Sequence, residues 1–318
     1  MSARRSATYL LLTQLFVMKK YYSIFVLLFV LFFGCQPAPT QPERENDAIT
    51  VPERLVATTP SVAEILFSLD LGNKIVGVCR FCRFPPEVES IPKIGGLLDR
   101  DNEAVLRLKP DLVIEMEENS QSCEILRSFG IEVLTVDHKT VDGVMDSILT
   151  IGQKFGPETL EKAEKLRSDL LAQLAEIEKN SKREKPVRVL ICVDRERGTG
   201  QLLSLYIAGK NPFYNSTLEI AGGVNVAGGA TQPVPIVSVE EVLRMNPEVI
   251  IDLCTIPSPS DETQGIADWN VLGDAVDAVR NKQIYVFTED YTSIPGPRLI
   301  LYVERLAEIL AQNDNRDQ

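Results

Sequence analysis

An internal repeat restricts the fold of this chain more than any other feature. EAVLRLKPDLVIEM, Glu103–Met116, aligns without gaps on EEVLRMNPEVIIDL, Glu240–Leu253, at an offset of 137 residues. Glu, Val, Leu, Arg, Pro and the late Ile are identical in the two copies, and most other pairs are conservative, such as Leu108 with Met245 and Asp111 with Glu248. Each copy reads as a short helix that stops before a proline, because the residue preceding Pro is pushed out of the α region. An apolar run of strand length follows. One such unit is generic, but two copies flanking a long helix-forming stretch predict two lobes of similar build.

The rest of the chain agrees with α/β architecture. Arg54–Thr59, Lys74–Cys79, Leu112–Met116 and Glu132–Val136 read as strands in the first half. Val187–Val193, Glu248–Leu253 and Gln283–Phe287 do so in the second. They are short, apolar and separated by helix-length segments, the pattern of buried parallel strands. Between the halves, Leu160, Leu166, Leu170, Leu174 and Ile177 fall near helical spacing among strong helix formers, with Pro157 suited to a first turn. We expect one helix of about 24 residues, roughly 36 Å long, running across both lobes. The expected organisation is a signal at 1–34, a tether at 35–51, an N-terminal lobe at 52–141, a connecting helical segment at 142–184, a C-terminal lobe at 185–312 and a tail at 313–318.

From Met18 the chain reads MKKYYSIFVLLFVLFFGC: two lysines, a thirteen-residue apolar run from Tyr21 to Phe33, then Gly34-Cys35. The run is shorter than the ~20 residues a spanning helix needs. It has the charged start, apolar middle and small-residue end of an export signal, with Met18 as an alternative start. Its end resembles a bacterial lipobox, which implies Cys35 as the lipidated residue. Cys35–Thr50 is Pro-rich and polar, a tether.

Composition removes several functions. The net charge is −12, and losing residues 1–34 removes four basic residues and no acids, giving −16. Nucleic-acid phosphates demand a basic face, so nucleic acid is not an expected partner. The chain has one histidine, His138, which rules out a multi-histidine zinc site and leaves little for general-base catalysis.

ERLVATTPSVAEILFSLDLGNKIVGVC, CRFPPEVESIPKIGG and LKPDLVI, followed by YIAGKNPFYNSTLEIAGGVNV, VSVEEVLRMNPEVIID and PGPRLI, occur in one order that resembles the class III periplasmic binding proteins of ABC importers. The branch most similar is the one that binds cobalamin and iron-siderophores, and the likeness spans about Glu53 to Leu310. It implies two Rossmann-like lobes joined by a long rigid backbone helix, with ligand in the cleft between them. It also implies a permease partner, which in this family is docked by one acid on each lobe. The matching positions are Glu64 and Glu240. Capping explains part of this, since Ser61-x-x-Glu64 and Ser238-x-x-Glu241 both read as capping boxes, and Glu240 stands outside that role.

In α/β lobes, ligands meet the loops at the carboxyl ends of strands. CRFCRFPPEV, Cys79–Val88, follows a predicted strand, and the branch often carries a similar stretch there. Its two cysteines admit three readings: a metal site, a disulfide, or pocket wall. A metal site lacks further ligands, because Cys123, Cys192 and Cys254 are isolated. Pocket wall is the preferred reading: Phe81 and Phe84 offer flat apolar surface, Arg80 and Arg83 offer charge, and Cys82 is part of the loop. Across the cleft, Arg195 and Arg197 follow a strand, and Tyr206, Phe213, Tyr214, Trp269 and Tyr291 fall in or beside loops. Trp269 also admits a structural role. His138 follows the strand Glu132–Val136 and is read as an exposed loop residue, with ligation of haem iron or corrinoid cobalt as the alternative.

The expectation is therefore an exported, membrane-anchored binding lipoprotein of an ABC importer, periplasmic or at the cell surface, monomeric and not an enzyme. Its ligand is a corrinoid, with a ferric siderophore or haem as alternatives, and no resident cofactor or metal. The competing class is a chelatase-like enzyme on a similar two-lobed fold.

Overall fold

The computed structural model describes residues 51–314 apart from 98, 118–119 and 255–260. The export signal, the tether and Cys35 lie outside the described residues. The first lobe runs β1 (Leu55–Ala57), α1 (Pro60–Ser68), β2 (Ile75–Val78), α2 (Asn102–Leu108), β3 (Leu112–Met116), α3 (Ser120–Ser128) and β4 (Glu132–Val136). Its four strands are all parallel, in the order β2-β1-β3-β4. Parallel strands covered on both faces read as unbroken apolar runs, and here successive residues alternate between two apolar layers. Leu55, Ala57, Leu112 and Ile114 enter the main core, whereas Val56 and Val113 face outward onto Ile94, Val105 and Leu126.

Two helices follow, α4 (Val141–Lys154) and α5 (Pro157–Ser181). The connecting helix has 25 residues, about 37 Å at 1.5 Å per residue. Gly156, at φ 92°, separates it from α4 in a conformation open to glycine but costly for other residues. The two helices pack so closely that a Cβ at Gly152 would lie 2.4 Å from the Ala163 Cβ.

The second lobe runs β5 (Val187–Asp194), β6 (Leu205–Ile207), α6 (Pro212–Ile220), β7 (Gly223–Asn225), β8 (Ile236–Val237), α7 (Val239–Met245), β9 (Val249–Leu253), α8 (Asp261–Trp269), α9 (Asp277–Arg280), β10 (Ile284–Phe287) and α10 (Leu299–Asp314). Its sheet has the order β10-β9-β5-β6-β8, with β7 also pairing β5. β5, β9 and β10 are parallel, and β6 pairs antiparallel to both of its neighbours. The sequence reading missed β6, β7 and β8. At two or three residues each, they are too short to show a period.

The lobes share one main core, beside which each keeps a smaller apolar cluster of its own. One apolar cluster runs from Leu55, Ile65 and Leu112 through Met145, Ile148, Leu170 and Leu174 to Val189, Ile251 and Tyr302. Relative movement of the lobes must therefore be small, because close-packed interiors resist shear.

The repeat visible in the sequence is a structural repeat too. α2 and α7 have seven residues each and end on left-handed residues, Lys109 (φ 48°, ψ 59°) and Asn246 (φ 41°, ψ 66°). An arginine from outside the repeat closes each helix end. Arg54 donates to the Lys109 carbonyl at 3.0 Å and the Leu108 carbonyl at 2.5 Å, and Arg188 donates to the carbonyls of Met245 and Asn246. The paired acids also correspond: Asp111 accepts from the Arg54 N–H at 3.0 Å, and Glu248 from the Arg188 N–H at 2.8 Å. A cation on the last carbonyls satisfies acceptors that the helix leaves open.

Candidate functional site

A cavity of about 500 Å³ opens where the carboxyl ends of the first sheet meet the second lobe. β1 leads into Thr58, Thr59, Pro60 and Ser61, β2 into Cys79, Phe81 and Arg83, and β3 ends on Met116. The second lobe contributes Asp290, Ser293, Ile294 and Pro295, from the loop after β10. Most of this lining is apolar, with Phe81 half exposed at 51%. A second cavity of about 490 Å³ shares Ser293 and Pro295 with the first and is bounded by His138, Lys139, Asn211, Phe213, Tyr214 and Pro233.

Several expected site residues are placed here. Phe81 and Arg83 line the larger cavity, and Phe213 and Tyr214 the smaller one. Arg80 is exposed, paired with Asp99, its guanidinium 5.4 Å from the Phe81 ring centroid. Phe84 lies under the Arg298 guanidinium at 4.0 Å, and the Tyr291 ring centroid is 5.9 Å from the same group. A flat cation between two rings holds all three side chains in place.

Cys82 must be corrected. It is 1% exposed and lines neither cavity, while Cys79, 2% exposed and in the same core, borders the larger one. Their sulfurs lie 3.0 Å apart. The hydrogen bond from Cys82 favours the Cys79 thiolate and holds its pKa below the usual thiol value against burial; the same bond, with burial, pushes Cys82 up.

Arg195 and Trp269 also face inward rather than into the cleft. Asp252 and Asp268 hold Arg195, with Nη2 2.7 Å from Asp252 and Nη1 2.8 Å from Asp268, and its side chain is fully buried. Trp269, fully buried, donates from Nε1 to the same Asp252 oxygen at 3.0 Å. Arg197 adds a third donor to Asp252 at 2.8 Å. Asp268 accepts backbone N–H groups from Gly198 and Gly200, each at 2.8 Å, which fixes the turn after β5. Burial works to raise the Asp268 carboxyl, but Arg195 and these N–H groups hold it below its ordinary value. Tyr206 sits on β6 and lines neither cavity.

Glu64 requires a second correction. The N-cap of α1 is Thr59, not Ser61, so no capping box forms there. Ser61 instead shares hydrogen bonds with Thr59 (3.0 Å) and His138 Nδ1 (2.8 Å). Glu64 is 3% exposed and pairs with Arg298 at 2.5 Å across the lobes, while Arg298 also binds Asp290 at 2.9 Å. Burial raises the Glu64 carboxyl, and Arg298 only partly offsets it. This acid faces inward and has no surface to offer a partner. Glu240, by contrast, is exposed in the first turn of α7, beside a capping box that Ser238 and Glu241 do form.

His138 is buried rather than exposed, at 3%. Its Nδ1 is taken by Ser61, and Nε2 has no hydrogen-bond partner among the described residues. Burial pushes the imidazole down to about 4, with Asp137 working in the other direction. The ring is therefore neutral at ordinary pH. Sequence reasoning passed over Thr58, Ser61, Met116, Asp290 and Ser293, although the strand-end rule that found Phe81 also points to them.

Comparison with known proteins agrees with this architecture. The periplasmic binding protein family matches residues 55–291. An ABC transporter substrate-binding lipoprotein of Bacillus subtilis, YvrC, is 30% identical over 282 residues, covering 85% of this chain and 84% of the relative. A vitamin B12-binding protein of Pectobacterium atrosepticum is 25% identical over 282 residues, covering 83% of this chain and 91% of that one. Among solved structures, the periplasmic heme-binding protein RhuT of Roseiflexus sp. RS-1 superposes with a TM-score of 0.71 at 23% identity, covering 82% of this chain and 98% of RhuT. With two lobes, a cleft at their strand ends and a family match over most of its length, the chain belongs to the periplasmic binding protein family, the substrate-binding components of ABC transporters.

Proposed function

We propose that this chain is a lipid-anchored receptor, attached through Cys35, that captures a corrinoid in the cleft and hands it to an importing permease. The observation that carries the ligand class is the lining of the larger cavity. It is mostly apolar and, among the described residues, presents no imidazole and no phenol to a metal centre. A corrinoid brings its own axial ligands to cobalt and asks the protein only for shape, apolar contact and a few hydrogen bonds. Phe81, Leu97 and Met116 supply the first two, and Thr58, Thr59, Ser61 and Ser293 the hydrogen bonds. The vitamin B12-binding relative supports the same choice. The reading assigns the chain no catalysis.

Thermal unfolding against cobalamin, cobinamide, haem and a ferric hydroxamate tests it. A ligand at 100 times Kd stabilises the folded state by about 2.7 kcal/mol, a rise in Tm of roughly 5–10 °C for a domain of this size. The expected rise comes with the corrinoids. A rise with haem or the ferric hydroxamate alone would overturn the corrinoid reading.

Permease docking is assigned to Glu240 and, in place of Glu64, to Glu103. The repeat superimposes Glu103 on Glu240, both are exposed, and both stand in the first turn of equivalent helices. Two equivalent acids on two similar lobes form a pair that a permease with matching cations can read. Reversing both, Glu103→Arg with Glu240→Arg, is expected to lower uptake sharply in cells and to leave ligand affinity in vitro unchanged. Undiminished uptake would remove the assignment.

A further inference from the structure

Ligand capture makes no use of the proximity of two thiols in the cleft wall. The Cys82 N–H donates to the Cys79 carbonyl at 3.2 Å, closing a tight turn that brings the side chains together. The resulting sulfur separation of 3.0 Å compares with about 2.05 Å in a disulfide, so bonding needs roughly 1 Å of approach inside one turn. The rest of the sheet need not move. Both cysteines are almost fully buried, at 2% and 1%, but only one borders the cavity. Cys79 lines the cavity, and Cys82, in the same core cluster, does not. Lys93 adds positive charge next to the pair, with Nζ on the Cys82 carbonyl at 3.1 Å and the Val88 carbonyl at 3.2 Å. A sulfur at the border of the cavity, a second sulfur beside it and a nearby cation favour thiol–disulfide exchange. The remaining described cysteines are on other elements: Cys123 on α3, Cys192 on β5 and Cys254 after β9.

We propose that Cys79 and Cys82 form a reversible disulfide in the cleft wall, made by exchange with a disulfide-bearing oxidant outside the cytoplasm. The Cys79 thiolate attacks the oxidant, forming a mixed disulfide and releasing one thiol. Cys82 then loses its proton, attacks the Cys79 sulfur and displaces the second thiol. Two cysteines are oxidised and one disulfide is reduced to two thiols. The bond ties down the turn that carries Phe81 to the cavity, so redox state sets how freely this wall adapts to a ligand. The proposal rests on the extracytoplasmic setting of the family and not on the corrinoid assignment.

The test uses the chain from Val51, which contains both sheets and every described core residue, and involves no ligand. The protein is equilibrated with oxidised or with reduced glutathione, denatured, alkylated and weighed. Of the five described thiols, three are expected to be alkylated after oxidation and five after reduction. Fragment mapping is expected to link Cys79 to Cys82. Cys79→Ser, which lacks the attacking sulfur, is expected to show four alkylated thiols in the oxidised buffer, and Cys82→Ser, which lacks the resolving one, three alkylated thiols with glutathione held on Cys79. Five alkylated thiols in the oxidised wild type would overturn the proposal. So would a stable glutathione adduct on Cys79 in the wild type, or loss of a thiol pair that persists in Cys79→Ser.

Discussion

Asp252→Ala is expected to destabilise the protein by about 3–5 kcal/mol, which lowers Tm by about 10 °C or more in a domain of this size. Asp252 is fully buried at the interior end of β9 and accepts from three side chains: Arg195, Arg197 and Trp269. Truncation would leave Arg195 with Asp268 as its one carboxylate and Arg197 with Asp194 at 3.8 Å, both largely out of water. A buried cation stripped of a partner costs far more than the pair contributes, because desolvation of the charge is no longer offset. The damage should be local to the second lobe, since the turn at Gly198 and Gly200 hangs on Asp268, which Arg195 positions. Asp252→Asn keeps an acceptor for Trp269 and should cost less. Denaturant unfolding of both variants checks this. If Asp252→Ala lost under about 1 kcal/mol, the network would be solvated in solution and its structural role refuted.

This network shows where sequence reading ends. The two lobes were legible because the repeat carries its signals locally: a helix stop before Pro110 and Pro247, an apolar strand after each, and a capping box at Ser238–Glu241. The long helix was legible for the same reason. The position of Phe81 and Arg83 at the cavity was legible because the loop follows β2 directly and clefts form at strand ends. What failed was the direction of side chains whose partners are remote. Arg195 and Arg80 both follow strands and look alike in sequence, yet Arg195 turns inward to acids 57 and 73 residues away. Glu64 looked like a surface acid in a first turn until Arg298, 234 residues on, was brought beside it. Cys82 was placed in the pocket wall, where the structure puts Cys79, because one turn decides which cysteine borders the cavity. Helix and strand formation are set by neighbours in the chain, whereas burial of a charge depends on where its counter-ion arrives.

His138 predicts a second large effect, in pH dependence. Its folded-state pKa, near 4, lies below the ordinary 6.5. As pH falls below 6.5 the unfolded chain takes up a proton that the folded chain refuses. Stability present above pH 6.5 is therefore lost progressively down to about pH 4, below which this group adds no further slope. A separation of about 2.5 units corresponds to about 3 kcal/mol over the window. The cause is burial between Ser61 and the second cavity, with Asp137 too weak to keep the imidazolium charged. Other groups titrate too, and Glu64, whose carboxyl burial raises, gives a slope of opposite sign. The informative quantity is thus the difference between wild type and His138→Gln. The variant is expected to lose less stability than wild type between pH 6.5 and 4, by about 3 kcal/mol at the acid end. The chain has a single histidine, so its imidazole proton resonance is unique and the folded-state titration can be followed directly. An inflection near 6.5 in the folded protein, or parallel stability curves for the two proteins, would mean that water reaches the ring and that the cleft floor is open where the structure closes it.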